Sequence, residues 1–134
     1  VGSRAQTSLL RNATQSLKLT ISQHYSLKKL VQLESNLSQE AKDKFKKGEL
    51  TLEALKQGKF SLLSLSEEIV VFYGIFHGFF LSVKKEEWAD FEKKLIYYLR
   101  GKKAKEMKDI LNKPVEEAEK NIEKIIKDFL KLRQ

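Results

Sequence analysis

The chain has no cysteine, one proline, one methionine and only two histidines among its 134 residues. Without cysteine there is no disulfide framework, no thiolate metal site and no cysteine nucleophile. A single proline and six glycines exclude collagenous and Pro-rich chains and leave few points at which a helix can break. Arginine is scarce as well: 22 of the 26 basic residues are Lys and 4 are Arg. Lysine is a hydrated point charge that suits phosphate neutralisation, whereas the forked guanidinium reads guanine edges. No long alternation of apolar and polar residues is present, so strands are not expected. There is also no P-loop, no G-x-S-x-G and no dinucleotide fingerprint, and the chain does not read as an enzyme.

Hydrophobic residues make up 41% of the chain, enough to bury a core and too many for a disordered segment. The length predicts one helical domain over 1–134, with a basic short-helix region at 1–58 and a core bundle at 59–134. The formal charge of +8 is uneven, at +6 over residues 1–60, −3 over 61–90 and +5 over 91–134. Basic ends therefore flank an apolar, slightly acidic middle. Such ends suit a polyanionic partner, or simply the Lys/Glu surface of a helical bundle. Val1 stands where an initiator methionine would, so the chain is expected to be trimmed at its start. It shows no signal-peptide pattern, and the expected location is cytoplasmic.

Helical spacing runs almost throughout. Leu9, Leu10, Ala13 and Leu17 share one face of a helix over 5–18, and Thr20 and Ser22 interrupt it. Tyr25, Leu27, Leu30, Val31 and Leu33 mark a second helix over 24–34. Asn36 or Ser38 reads as the cap of a helix over 39–47 that Gly48 ends, and Thr51 as the cap of another over 52–57. Ser64-Leu65-Ser66-Glu67 has the form of a capping box. It opens an apolar stretch over 66–81 that is too short to span a bilayer and reads as the buried central helix. Ser82 can cap a helix over 83–99, with Trp88, Phe91, Leu95 and Tyr98 on one face. Lys113-Pro114 ends what precedes it and starts the last helix. That helix carries Val115, Ala118, Ile122, Ile125, Phe129 and Leu132 at spacings of 3, 4, 3, 4 and 3, a stripe for the core or for a protein partner. Glu116–Lys120 and Glu123–Lys127 are placed as favourable i,i+4 pairs on its other face. The fold class that results is all-α, a bundle of six to seven helices.

Few residues suggest chemistry. His24 and His77 lie apart and have no partners at metal-ligand spacing, so neither a metal nor a cofactor is implied. His77 reads as a core histidine and His24 as a solvated one. Gly74 and Gly78 form a G-x-x-x-G that would allow close helix approach or make room for an aromatic ring. Glu67/Glu68, Glu86/Glu87 and Glu116/Glu117 each fall in a first turn, where carboxylates complement the helix dipole. Two lysine clusters, around Lys44, Lys46 and Lys47 and around Lys102, Lys103 and Lys105, are candidates for phosphate contact.

One family pattern is present. Leu37-Ser38-Gln39-Glu40-Ala41 through Phe45, followed by Gly48-Glu49-Leu50-Thr51-Leu52, resembles the DNA-binding domain of ParB/KorB-type partition proteins. Leu81-Ser82-Val83-Lys84 is similar to that family's Leu-Ser-Val-Arg step, while its arginine-rich nucleotide-binding motif is missing. The resemblance implies a helix-turn-helix with its recognition helix over 21–30, and Ser22, Gln23, Lys28 and Lys29 facing DNA. The resulting expectation is a DNA-binding or DNA-packaging protein that works mainly through Lys–phosphate contacts. The alternative is a structural or adaptor protein that self-assembles, or binds a helical partner, through its C-terminal stripe. Membrane attachment is not expected.

Overall fold

A computed structural model describes residues 5–33, 36–56 and 62–133. These residues are all-helical and contain no strand. The helices are α1 (Ala5–Leu33), α2 (Gln39–Lys56), α3 (Leu65–Phe76), α4 (Trp88–Gly101), α5 (Ala104–Asp109) and α6 (Val115–Leu132). Short 3₁₀ turns at Lys85–Glu87 and Ile110–Asn112 precede α4 and follow α5. α1 packs chiefly on α2 and also touches α3 and α6, while α3 lies between α1, α2, α4 and α6. The Ala5 amide donates to the Lys113 carbonyl at 2.8 Å, which ties the start of α1 to the entry of α6.

The first half of the chain is simpler than its pattern suggests. α1 runs unbroken through Thr20 and Ser22, because its inward stripe passes from Ala5 and Leu9 through Leu17 to buried Thr20 and His24. The stripe changes from apolar to polar without changing direction. Residues 21–30 therefore lie inside one 29-residue helix. No turn precedes a recognition helix there, and the helix-turn-helix expected from the resemblance does not form.

α2 likewise continues through Gly48 and Thr51. Gly48 is buried against the His24 side chain, where any Cβ would collide. Thr51 donates its hydroxyl to the Lys47 carbonyl at 2.8 Å instead of capping a new helix. Ser38 does cap α2, accepting from the Ala41 amide at 3.1 Å.

The central helix opens on the expected capping box. The Glu67 amide donates to Ser64 Oγ, and the Ser64 amide donates to Glu67 Oε1. It ends at Phe76, earlier than its hydrophobicity suggests. Gly78 adopts φ +78°, and the amides of Phe79 and Gly78 return to the carbonyls of Gly74 and Ile75. This paired return is a Schellman stop, which needs a residue that accepts positive φ. The two glycines of the G-x-x-x-G thus do different work. Gly78 turns the chain, and Gly74 leaves the space that the Phe80 ring fills.

After the turn, Val83 is buried with its amide bonded to the Phe80 carbonyl at 3.0 Å, and α4 starts at Trp88 with Glu87, not Ser82, at its N-cap position. Phe80, Trp88, Phe91 and Phe129 form a connected aromatic cluster at the centre of the core. Lys113 is extended ahead of Pro114, and α6 begins at Val115, as the proline dictates.

Candidate functional site

The residues expected to contact DNA lie on α1, on α2 and around the α4–α5 junction. Ser22, Lys28 and Lys29 are exposed on α1, and Gln23 is half-buried. Lys44, Lys46 and Lys47 are half-buried on α2, and Lys44 pairs with Glu40 at 3.2 Å. Lys102 and Lys105 are exposed around the α4–α5 junction. Lys103 is turned inward, hydrogen-bonded to Asp128 at 3.2 Å and paired with Glu106 at 3.5 Å. Burial lowers the basicity of its ammonium, but Asp128, Tyr98 and Glu106 outweigh that and raise its pKa overall. Its charge is spent on joining α4, α5 and α6.

The C-terminal stripe is also occupied from within. Ala118, Ile122, Ile125 and Phe129 are buried in the chain's own core together with Ile126, and Val115 is half-buried. Only Leu132 of the stripe is exposed, at 62%. The stripe holds α6 against the bundle and is not a free face.

The two histidines exchange the environments expected of them. His24 is buried, stacked on Phe45 with ring centroids 4.3 Å apart, and its Nδ1 lies 3.1 Å from the Phe45 carbonyl. His77 caps the C-terminus of α3, exposed, and stacks on Tyr73 at 3.9 Å. The apolar run around His77 ends at a turn, whereas the polar run around His24 faces α2. Among the described residues no group of His, Cys, Asp or Glu is placed to hold a metal ion. No helix among them is long and apolar enough to cross a membrane.

What the fold builds instead is an ionic latch beside an open cleft. Arg100 donates from Nε to Glu67 Oε2 at 2.8 Å and from Nη2 to Glu67 Oε1 at 2.9 Å. The same Nη2 donates to the Leu62 carbonyl at 3.1 Å. A forked guanidinium matches a carboxylate in this way, and the pair ties the last turn of α4 to the first turn of α3. The Arg100 hydrogen bonds hold the buried Glu67 carboxyl below its ordinary pKa, against a burial effect that would raise it. Beside the latch, Leu62, Leu63, Lys93, Ile96, Tyr97 and Arg100 line a cleft of about 470 Å³. Tyr97 is 82% exposed and Leu62 73%, so a large apolar edge is left uncovered. The capping box around Glu67 was legible in the sequence. Arg100 lies 33 residues away, and nothing local in the sequence announced it as the partner.

A second surface lies on α6. Lys120, Lys124, Lys127 and Lys131 are exposed on the side opposite the buried stripe. The expected Glu116–Lys120 and Glu123–Lys127 pairs are not among the ion pairs of the described residues. Glu123 instead accepts from the Tyr73 hydroxyl at 3.1 Å. Burial of Tyr73, followed by that bond to Glu123, raises the phenol's pKa well above its ordinary value. The sequence carries this lysine row at helical spacing, but it read there as one half of a balanced Glu/Lys face.

Comparison with known proteins overturns the DNA-binding reading. Residues 6–129 match the family described as ATP synthase alpha/beta chain, C terminal domain. The chain belongs to this family. An ATP synthase subunit alpha of Petrotoga mobilis is 29% identical over 135 residues, covering 96% of this chain and 27% of that protein. One from Helicobacter pylori strain Shi470 is 28% identical over 131 residues, covering 96% of this chain and 26% of that protein. The chain thus spans about a quarter of the length of the curated relatives it matches. A match to the ATP synthase alpha/beta C-terminal domain over nearly the whole chain overturns the ParB-type resemblance, which rested on one short stretch. With it fall the helix-turn-helix and the DNA-binding reading.

Proposed function

We propose that the chain is the helical C-terminal part of an ATP synthase alpha-type subunit, and that it contributes protein contacts within an assembled complex. The observation that carries this reading is the family match over residues 6–129. The relatives it matches are described as subunits, and each is far longer than this chain. The geometry agrees with a contact role. The core is closed by the chain's own stripe, while Tyr97 and Leu62 remain exposed at the edge of a cleft. In such a complex, nucleotide chemistry would belong to parts of the subunit that lie outside this chain.

The test is purification of the intact protein that carries this chain. The expected result is a hetero-oligomer that contains a beta chain of the same family and hydrolyses ATP. A monomer without ATPase activity contradicts the proposal. So does recovery with duplex DNA at an affinity that falls steeply with log salt, as counterion release requires.

A further inference from the structure

We infer that the outward lysine row of α6 is a docking face for an acidic helical segment of a partner protein, an inference that rests on the subunit reading above. Lys120, Lys124, Lys127 and Lys131 follow one another at i, i+4, i+7 and i+11, which keeps them on one side of the helix. At 1.5 Å per residue the row is about 16 Å long. All four side chains are exposed, and none is in an ion pair among the described residues. Two carboxylates beside the row are engaged elsewhere. Glu123 accepts the Tyr73 hydroxyl, and Asp128 accepts the Lys103 ammonium at 3.2 Å. Glu117 pairs with Lys113 at 3.8 Å in the first turn, next to Glu116, and these two mark the N-terminal limit of the row. At its middle the Lys127 ammonium stands 6.0 Å from the centre of the Phe79 ring, a contact that leaves its charge unneutralised.

Charge and shape together select the partner. A straight row of cations at helical spacing is complementary to a helix that carries Glu or Asp at the same spacing. A membrane-surface helix would lay an apolar face into the bilayer beside its lysines. The apolar face of α6 is instead shut inside the bundle except at Leu132, and the outward face offers mainly charge. A row of Lys, with no arginine fork in it, selects for charge and spacing more than for a particular carboxylate geometry.

The experiment uses the intact protein and a labelled helical peptide with Glu at i, i+4, i+7 and i+11. A second peptide has the same composition with those positions scrambled. Binding is read by fluorescence anisotropy at two salt concentrations. The wild type should prefer the patterned peptide by about tenfold or more. Lys120→Gln, Lys124→Gln, Lys127→Gln and Lys131→Gln combined should abolish the preference. A control with Lys28→Gln, Lys29→Gln, Lys102→Gln and Lys105→Gln loses the same charge and should keep it. Equal loss in both variants, or no preference in the wild type, overturns the inference. So does α6-dependent binding of phosphatidylserine vesicles or duplex DNA in place of the peptide. Because assembly with a beta chain is read separately, a complex that forms normally without any peptide preference removes this inference alone.

Discussion

Gly48 of α2 lies directly against the side chain of His24 of α1, so the two longest packed helices of the first half meet with no Cβ between them on one side. Helix propensity favours alanine over glycine by about 1 kcal/mol in a helix interior. Packing opposes it here, because the atoms in the way are the Cβ and ring root of a buried histidine and not the end of a flexible chain. Overpacking a filled interface costs about 1–3 kcal/mol. Gly48→Ala is therefore expected to destabilise the protein despite the propensity gain, seen as a lower urea midpoint with an unchanged m-value. A variant more stable than the wild type would show that α1 and α2 separate without cost.

Gly78 carries the positive φ that ends α3. Its added Cβ would meet only ordinary contacts, the nearest being Leu81 at 3.5 Å, so the backbone conformation alone sets the cost of substitution. The left-handed conformation costs an L-residue about 1–2 kcal/mol. Gly78→Ala should lose about that much in chemical denaturation, and Gly78→Asn less, since Asn tolerates this region better.

The Arg100–Glu67 latch gives a signed pH dependence. The hydrogen bonds from Arg100 hold the Glu67 carboxyl below its ordinary pKa in the folded protein. A depressed carboxylate contributes stability that is present above the unfolded pKa and is lost as pH falls through the folded one. Arg100→Ala should cost about 1–2 kcal/mol near neutrality, where a charge-assisted bond is lost, half of the pair being solvent-exposed. The difference from wild type should shrink as pH drops below the ordinary carboxylate range. Parallel stability curves from neutral to acid pH would show that Glu67 draws nothing from Arg100.

Tyr73→Phe removes a single hydroxyl, the one that holds Glu123 away from the lysine row. About 1 kcal/mol of stability should be lost. Glu123 is then free to turn towards Lys127 at i+4, which would partly neutralise the row. Equilibrium unfolding reads the first effect. The second appears as a weaker preference of the variant for the patterned acidic peptide.

Much of the second half of the fold was legible in the sequence, because its signals are local and point one way. Ser64-x-x-Glu67 gave the start of α3, Lys113-Pro114 the start of α6, and Trp88, Phe91, Leu95 and Tyr98 the buried face of α4. The first half misled because its inward stripe turns polar at Thr20 and His24, so one long helix read as two. Gly48 read as a stop because a glycine required by a neighbouring side chain looks, locally, like a glycine required by a turn. That pair of false breaks is also what made a helix-turn-helix look plausible. The stripe of α6 was correctly placed on one face, but its spacing does not distinguish a face turned to the core from one turned to a partner. The Arg100–Glu67 and Tyr73–Glu123 contacts join residues 33 and 50 positions apart, beyond the reach of any pattern in a helical window.

The central claim is that this domain makes protein contacts inside an ATP synthase-type complex. Amine-reactive crosslinking of the intact, natively purified protein with mass-spectrometric readout tests it most directly, since the chain's lysines are spread along its surface helices. The account predicts crosslinks from this domain, those of the α6 row included, to a beta chain and other polypeptides of one complex. Crosslinks confined to the protein itself, on a particle of monomer mass, would contradict it.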